Sequence, residues 1–135
     1  MIVEPTTNIE EIKDVILNGW IYDRITDDSC PETFEPPLDG VEYLGAYHNG
    51  EIVGLGIYHD EDGKQKFHFQ MLPRFRHLAG FALKKMMRKG SFVEIPDIYP
   101  DVIKFAMRCG FHMKQRNLNA HQKNGVLSDT FILEY

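Results

Sequence analysis

Hydrophobic positions recur with two periods along the chain, and these periods predict which segments form helices and which form strands. Ile9, Ile12 and Val15 lie on one face of a helix, whereas the segment VEYLGAY and those after it have the β-branched and aromatic content of strands. The pattern predicts an α/β (α+β) fold, a mixed sheet of about seven strands flanked by about four helices. In chain order we predict strand 1–4, helices 9–18 and 20–27, strands 41–47, 51–59 and 64–72, helix 77–89, strand 91–95, helix 100–109, and strands 111–122 and 126–135.

Turn residues separate several of these elements. Asn49-Gly50 and Asn124-Gly125 predict type I′ hairpin turns, in which both central residues take positive φ. Glu61-Asp62-Gly63 predicts a looser hairpin connection. The segment 28–40 has three prolines and no periodicity, so it is predicted to be an irregular surface loop.

The first helix carries end signals of its own. Thr7 and Glu10 have the spacing of a capping box, and Gly19 suits the position after the helix where φ is positive. These signals predict a helix that begins after Thr7 and ends before Gly19.

Composition narrows the class of protein. With 135 residues, 43% of them hydrophobic and 26% charged, the chain is predicted to form one domain over residues 1–135. No apolar run reaches the roughly 18 residues of a membrane span, and the first residues lack the pattern of a signal peptide, so we expect a cytoplasmic protein without membrane contact. Cys30 and Cys109 form no Cys-x-x-Cys motif, and the six histidines have no metal-ligand spacing, so neither a disulfide scaffold nor a metal site is predicted.

Charge is divided unevenly between the two parts of the chain. Residues 1–62 hold 15 acidic and two basic side chains, whereas residues 63–135 hold five acidic and 13 basic ones. Such a division indicates a nucleic-acid surface, a site for a smaller polyanion such as a phosphorylated cofactor, or two parts that attract each other within one fold. Nucleic acid is the weakest of these interpretations, because the chain as a whole has a negative net charge and the basic segment 74–90 contains few aromatic residues that could stack on bases.

The junction between the strand 64–72 and the helix 77–89 carries the strongest functional signal. Six basic and no acidic residues lie between Arg74 and Gly90. A helix that begins there presents free N–H groups and a positive dipole end, and Gly80 and Ala82 leave room for a ligand to approach the backbone. A pyrophosphate group would suit this site, with Arg76 beside it.

The residues at this junction resemble the Gcn5-related N-acetyltransferase (GNAT) superfamily. Its members hold the pyrophosphate of acetyl-CoA with a loop of the form Gln/Arg-x-x-Gly-x-Gly/Ala, to which His77-Leu78-Ala79-Gly80-Phe81-Ala82 is similar. Ala106-Met107-Arg108-Cys109-Gly110-Phe111 resembles the family's Tyr-x-x-x-Gly-Phe segment, and the predicted order of elements is the family's order over essentially the whole chain. Arg24-Ile25-Thr26-Asp27-Asp28, Leu72-Pro73 and Lys123-Asn124-Gly125 resemble a subgroup of small phage-encoded proteins, some of them associated with head assembly.

The resemblance implies a set of cofactor-binding residues and an acetyl-CoA cofactor. Met71 and Leu72 are expected to hydrogen-bond the pantetheine through their backbone, and Arg76 and the loop from His77 to Ala82 are expected to bind the pyrophosphate. The family's tyrosine, which protonates the departing thiolate, would fall at Ala106. Tyr99 is therefore the candidate substitute for that acid, with packing at a helix start as its alternative role.

Acetylation of an amine also needs a group that removes a proton, because a lysine-like amine with a pKa near 10.4 is charged at neutral pH. His68 is the candidate base, since period-2 alternation places it with Gln70 on the face opposite Phe67 and Phe69. The alternative is that His68 is an exposed strand residue without a partner.

Two functional interpretations follow from the sequence. In the first, the chain is an acetyl-CoA-dependent N-acyltransferase whose partners are acetyl-CoA and an amine. In the second, a catalytically degraded GNAT fold acts in phage head assembly, in the host cytoplasm, and binds virion proteins through its acidic N-terminal part and the loop 28–40.

Overall fold

A seven-stranded mixed sheet forms the centre of the structure, a computed structural model that describes residues 1–31 and 33–135. Its strands lie in the order β1-β2-β3-β4-β5-β7-β6. The predicted fold class and the predicted order of elements are confirmed. The strands are β1 (Ile2–Pro5), β2 (Val41–His48), β3 (Glu51–Glu61), β4 (Lys64–Met71), β5 (Phe92–Pro96), β6 (His112–Lys123) and β7 (Val126–Glu134), and the helices are α1 (Ile9–Ile16), α2 (Gly19–Ile25), α3 (Ala79–Met86) and α4 (Pro100–Arg108).

The helices bury opposite faces of the sheet. On one face α1 and α2 pack Ile12 and Ile21 against strand residues such as Leu55. On the other face α3 and α4 pack around Phe67, which is 2% exposed. Adjacent side chains of a strand point to opposite faces, so His68 lies on the side of α1 and α2.

Parallel strands β4 and β5 remain paired over only a short distance. A single residue pair, Lys66 with Phe92, joins them, whereas β3 and β4 are paired over eight positions from Gly54 to Glu61. Beyond that pair the two strands diverge, and the divergence opens the centre of the sheet.

Tight turns set the register of three hairpins. Asn49-Gly50 and Asn124-Gly125 take positive φ at both residues, as predicted for type I′ turns. The connection predicted to be looser also has two central residues of positive φ, Asp62 at 52° and Gly63 at 83°. Glu61 therefore pairs directly with Lys64, and this fixes the register of β3 against β4.

Several predicted helix boundaries were wrong. Asn8 caps α1, where its side chain accepts hydrogen bonds from the amides of Glu10 and Glu11 at 3.1 and 3.2 Å, so Thr7 is not the cap. Gly19 is the first residue of α2 and not the terminator of α1, because Asn18 already caps the next helix.

The predicted helix 77–89 is shorter and begins differently. A 3₁₀ helix over Pro73–Leu78 precedes α3, which covers only Ala79–Met86. Phe75 lies outside helical geometry, with φ −115° and ψ 17°, so the chain bends before α3 begins. Residues 77 and 78 therefore belong to the approach to the helix and not to its first turn.

The predicted loop 28–40 contains neither helix nor strand among its described residues, and Glu32 lies outside them. None of the helices that the structure describes is long and apolar enough to cross a membrane.

Candidate active site

The divergence of β4 and β5 opens into a cavity of about 580 Å³. Residues 66–71 of β4 and 93–96 of β5 form opposite walls of this cleft. Alternation within the antiparallel β3–β4 ladder directs the backbone groups of Phe69 and Met71 away from β3 and toward the cleft. The cleft thus exposes strand backbone that β5 does not pair, together with side chains from α2, α3 and α4.

The start of α3 borders this cleft and has features of an anion site. No side chain caps the helix at Leu78, and a Cβ atom added at Gly80 would meet nothing within 4 Å. Arg76 and His77 are exposed, and Arg76 lines the cavity. Backbone dipole, open space and a positive side chain therefore occur together at this helix end.

Two of the predicted cofactor contacts need correction. Ala82 is fully buried among core residues, so its small side chain serves packing and not the approach of a ligand. The amide of Leu72 donates to the carbonyl of Val53 at 2.8 Å, so it is already used and cannot donate to pantetheine. Met71 keeps the orientation that the prediction requires.

The backbone of the segment His77–Ala82 is also less available to a ligand than the sequence indicated. The amide of Ala79 donates to the carbonyl of Arg76 in the preceding 3₁₀ helix. Leu78 packs against the core, and the Phe81 side chain is 66% exposed. Open backbone in this segment is therefore centred on Gly80.

His68 lines the cavity and has a partner that sequence reasoning missed. Its Nε2 atom lies 2.9 Å from Nε2 of His59, and the two rings stack with an interplanar angle of 15°. One nitrogen must donate and the other accept, so the two rings share one proton between these atoms. The interpretation of His68 as an isolated exposed residue is thereby wrong.

Burial weakens His68 as a base. Desolvation first, and then the charges of Lys66 and His59, lower the pKa of His68 from 6.5 to about 4, against the opposing effect of Glu94. The imidazole is therefore neutral at pH 7 and available to accept a proton, but its affinity for that proton is low.

Glu94 was not predicted from the sequence, although it faces His68 across the cleft. Lys66 Nζ lies 3.0 Å from its Oε1 atom, and Thr130 Oγ1 donates to Oε2 at 2.7 Å. Burial alone would raise the pKa of Glu94, but the hydrogen bonds from Thr130 and Lys66 lower it overall, so the carboxylate is charged at neutral pH.

Tyr99 lies at the start of α4 and lines the same cavity. The guanidinium carbon of Arg24 lies 4.7 Å from the centre of its ring and equally far from the ring of Trp20. Arg24 also reaches Asp101 at 3.6 Å. A cation between two aromatic rings thus connects α2 to α4 beside the cleft.

Cys109 and two basic residues of the segment 74–90 have neighbours within the fold that explain their positions without a catalytic role. Burial raises the pKa of the Cys109 thiol, which disfavours the reactive thiolate. In the basic segment, Arg88 forms two hydrogen bonds to the Glu42 carboxylate at 2.8 and 2.7 Å, and Lys85 donates to the Met1 carbonyl. No group of three metal-ligating side chains occurs among the described residues.

Comparison with known proteins identifies the fold through structure alone. No protein-family model and no curated protein sequence matches the chain. A point mutant of spermidine N-acetyltransferase SpeG from Vibrio cholerae matches with a TM-score of 0.78 and 10% identity over 98% of this chain and 93% of that one. Ribosomal-protein-alanine N-acetyltransferase from Brucella melitensis matches with a TM-score of 0.75 and 17% identity over 100% and 99%.

The chain has the GNAT fold. A third solved structure, smu.2055 from Streptococcus mutans UA159, is similar over 100% of this chain and 98% of that one, with 16% identity and a TM-score of 0.75. The likeness therefore covers essentially the whole chain, and at these identities it concerns the fold. In this GNAT fold the position predicted for the family's tyrosine is Ala106, whose side chain is buried beside the cavity.

Proposed function

We propose that the protein is an acetyl-CoA-dependent N-acyltransferase that transfers an acetyl group to an amine. The observation that carries this proposal is the cleft between β4 and β5, which runs past unpaired strand backbone to the uncapped start of α3. The GNAT fold supports it, because two of the similar structures are N-acetyltransferases.

Acetyl-CoA fits the described residues at two places. The backbone of Met71 faces the cleft and is suited to hydrogen-bond the pantetheine, whereas Leu72 is not, since its amide is used. Arg76, His77 and the open backbone at Gly80 would hold the pyrophosphate. When bound, acetyl-CoA supplies an acyl group activated as a thioester.

His68 and His59 together serve as the proposed base. Transfer of a proton from an ammonium with a pKa near 10.4 to a group with a pKa of about 4 costs about 9 kcal/mol at 1.36 kcal/mol per unit. Desolvation in the cleft also lowers the pKa of an amine bound there, so the two groups approach each other in proton affinity. His59 can take the proton from His68 along their 2.9 Å contact.

Tyr99 is the proposed acid. The ammonium would first give one proton to His68, and the neutral amine nitrogen would then form its bond to the acyl carbon as the carbon–sulfur bond breaks. Tyr99 would protonate the departing sulfur and recover the second proton that the nitrogen loses, directly or through solvent, so that only the proton on the histidine pair remains to be released. The guanidinium carbon of Arg24, 4.7 Å from the centre of the Tyr99 ring, helps to hold this side chain in the wall of the cleft.

Thermal melting with acetyl-CoA tests the proposal directly. A ligand at a hundred times its Kd stabilises the folded state by about 2.7 kcal/mol, so millimolar acetyl-CoA should raise the melting temperature. Gly80→Trp should abolish this increase by filling the space at α3. Gly19→Trp is the matched control, since a Cβ atom there also meets nothing within 4 Å, and it should keep the increase.

An unchanged melting temperature in the wild-type protein would contradict the enzyme and leave the assembly role. That alternative, with its phage origin and virion partners, draws on the acidic surface of residues 1–62. Part of this surface is engaged within the protein, for example in the Glu42–Arg88 ion pair.

We place the protein in a reducing compartment such as the cytoplasm, because Cys30 is an exposed free thiol. We also treat residues 1–135 as one catalytic domain.

A further inference from the structure

A polar cluster lines the cavity on the side of β7 and β6, beyond the residues assigned to the reaction. It consists of Asp27, which follows α2, Thr130 in β7 and His121 in β6. Thr130 is turned toward Glu94, to which it donates a hydrogen bond, so the cluster continues the polar wall that begins beside His68. None of these three residues has a role in the proposed acetyl transfer.

Asp27 presents one carboxylate oxygen without a partner. Its Oδ1 atom accepts hydrogen bonds from the amide of Ser29 at 2.9 Å, from the Ser29 hydroxyl at 2.5 Å and from the Cys30 thiol at 3.5 Å. Within the part of the chain that the structure describes, no group donates to Oδ2 and no lysine or arginine forms an ion pair with Asp27. The carboxylate is thus fixed in position and keeps an acceptor free.

His121 supplies the second free group. Its side chain is 7% exposed, and its Nε2 atom is buried without a hydrogen-bond partner among the described residues. It lies beside Asp27, because the amide of Asp28 donates to the carbonyl of Gln122 at 2.9 Å and so brings the two preceding residues together. Buried polar atoms in folded proteins almost always have a partner, so an unpartnered imidazole nitrogen in the wall of a cavity points to a ligand.

Four of the other charged side chains in the cavity are matched in two pairs, whereas Arg76 and Arg108 form no ion pair with a described residue. Lys66 lies 3.0 Å from Glu94, and Arg24 lies 3.6 Å from Asp101. Arg76 is on the opposite side, at the approach to α3. The side formed by β7 and β6 therefore offers a carboxylate and an imidazole nitrogen, which together favour a ligand group that is positively charged and donates hydrogen bonds.

We propose that Asp27 and His121 bind the distal ammonium group of a diamine, whose other amine is the acetyl acceptor. This inference rests on the proposed function for the role of the reacting amine, but the binding site itself can be tested without catalysis. The acceptor class is then an aliphatic amine with a second cationic group, and simple monoamines lack the group that Asp27 recognises.

Calorimetric titration of the whole protein with amine probes tests the subsite. Straight-chain diamines of three to six carbons are compared with 1-aminobutane, in the absence and presence of acetyl-CoA. The best diamine should bind at least about tenfold more tightly than the monoamine, the advantage expected for a hydrogen bond between charged groups. The subsite is refuted if every diamine binds within about twofold of 1-aminobutane.

Matched variants identify the residues responsible. Asp27→Asn keeps an oxygen for the Ser29 hydrogen bonds but removes the charge, so it should erase the diamine advantage while the melting temperature and acetyl-CoA binding stay unchanged. Asp14→Asn, the same charge change at an exposed position of α1, should keep the advantage. His121→Phe should weaken diamine binding, and His121→Gln, which retains an acceptor near the Nε2 position, should restore part of it.

The outcomes separate the two proposals. Selective diamine binding without any effect of acetyl-CoA on melting would contradict the acyltransferase and leave the diamine site intact. An acetyl-CoA effect on melting with equal affinity for diamines and 1-aminobutane would contradict the diamine site alone. Equal loss of diamine affinity in Asp27→Asn and Asp14→Asn would show a general effect of charge and would also overturn it.

Discussion

His59 and His68 face each other through nitrogens 2.9 Å apart, and this contact determines what either ring can do. A proton added to the Nε2 atom that accepts in this contact would place two N–H groups against each other, and Lys66 adds a positive charge beside His68. Glu94 opposes these effects from the facing strand. The neutral pair keeps a ring nitrogen outside the contact that can accept a proton, but burial and the positive charge of Lys66 oppose the charge that results.

The lowered pKa of His68 predicts a pH dependence of stability. Because the pKa is about 4 in the folded protein and 6.5 for a histidine free of such surroundings, the unfolded chain binds more protons between these values. The contribution of His68 to the free energy of unfolding should be fully present above pH 6.5 and should be lost as the pH falls toward 4. From pH 7 to pH 5 the free energy of unfolding should decrease by about 2 kcal/mol through His68. Urea denaturation of the wild type and of His68→Gln at the two pH values measures this decrease.

His68→Gln should flatten the curve over this range, since glutamine does not titrate. His112→Gln, at an exposed position of β6, is the matched control and should keep the wild-type slope. Identical slopes for the wild type and His68→Gln would show that His68 titrates normally in the folded protein.

The sequence predicted His68 but not its partner, and the reason lies in the turn that precedes β4. A loose connection over residues 60–63, as the sequence predicts, leaves the register of β3 and β4 undefined. With the two-residue turn Asp62-Gly63, Glu61 pairs with Lys64 and His59 with Lys66, and the two histidines become diagonal neighbours on one face. Glu94, Asp27 and His121 come from distant segments, and no local pattern brings them together.

At the scale of elements, α2 and the residues after it are fastened to the β6–β7 hairpin. The Asp28 carboxylate accepts hydrogen bonds from the amides of Asn124 and Gly125 at 2.8 and 2.9 Å, and its own amide donates to Gln122. Lys123 donates to the carbonyls of Asp23 and Thr26. These bonds hold Asp27 against β6, where it lines the cavity beside His121.

Asp28→Ala should loosen this attachment. The two turn amides lose a charged acceptor, so they should exchange hydrogen faster, and the protein should lose roughly 1 kcal/mol of stability. Hydrogen exchange resolved at Asn124 and Gly125 measures the effect. Asp39→Ala, another exposed aspartate that precedes β2, should leave both amides protected, and unchanged exchange in Asp28→Ala would contradict the attachment.

Elements were predictable where one local rule acts alone, and their boundaries were wrong where two rules compete. Asn49-Gly50 and Asn124-Gly125 determine their turns by backbone sterics, so the hairpins were predicted correctly. At the start of α1 both Thr7 and Asn8 can cap, and the Thr6 hydroxyl accepts from the Asn8 amide at 3.1 Å, which positions Asn8 for the role. Before α3, Pro73 begins a separate 3₁₀ helix that the helix-favouring composition concealed.

At the scale of the whole molecule, the acidic and basic parts of the chain meet in ion pairs. Glu42 binds Arg88, Asp23 lies 3.7 Å from Lys123, and Glu61 lies 3.5 Å from Lys66. These direct contacts support the interpretation that the two parts attract each other within one fold. It is compatible with the proposed anion site at α3, since Arg76 is in none of the ion pairs among the described residues.

Lys66 lies where the two halves of the sheet separate, and its removal should test how the divergence is stabilised. Its side chain is 15% exposed and contacts Glu94 on β5, whose side chain is 25% exposed. Lys66→Met leaves that carboxylate partly buried without a cation, which should cost roughly 2–3 kcal/mol in urea denaturation at pH 7. The double variant Lys66→Met/Glu94→Gln should recover at least half of this loss, because the uncompensated charge is gone.

Lys64→Met provides the comparison within the same strand. Lys64 is 3.3 Å from Glu134, but its side chain is 64% exposed, so the loss of this surface pair should cost under about 0.5 kcal/mol. Equal costs for the two lysine variants, or no recovery in the double variant, would mean that the paired charges do not hold β4 and β5 together at the divergence. In that case the packing of Phe67 and Phe92, without help from charge, would have to maintain the junction from which the cleft opens.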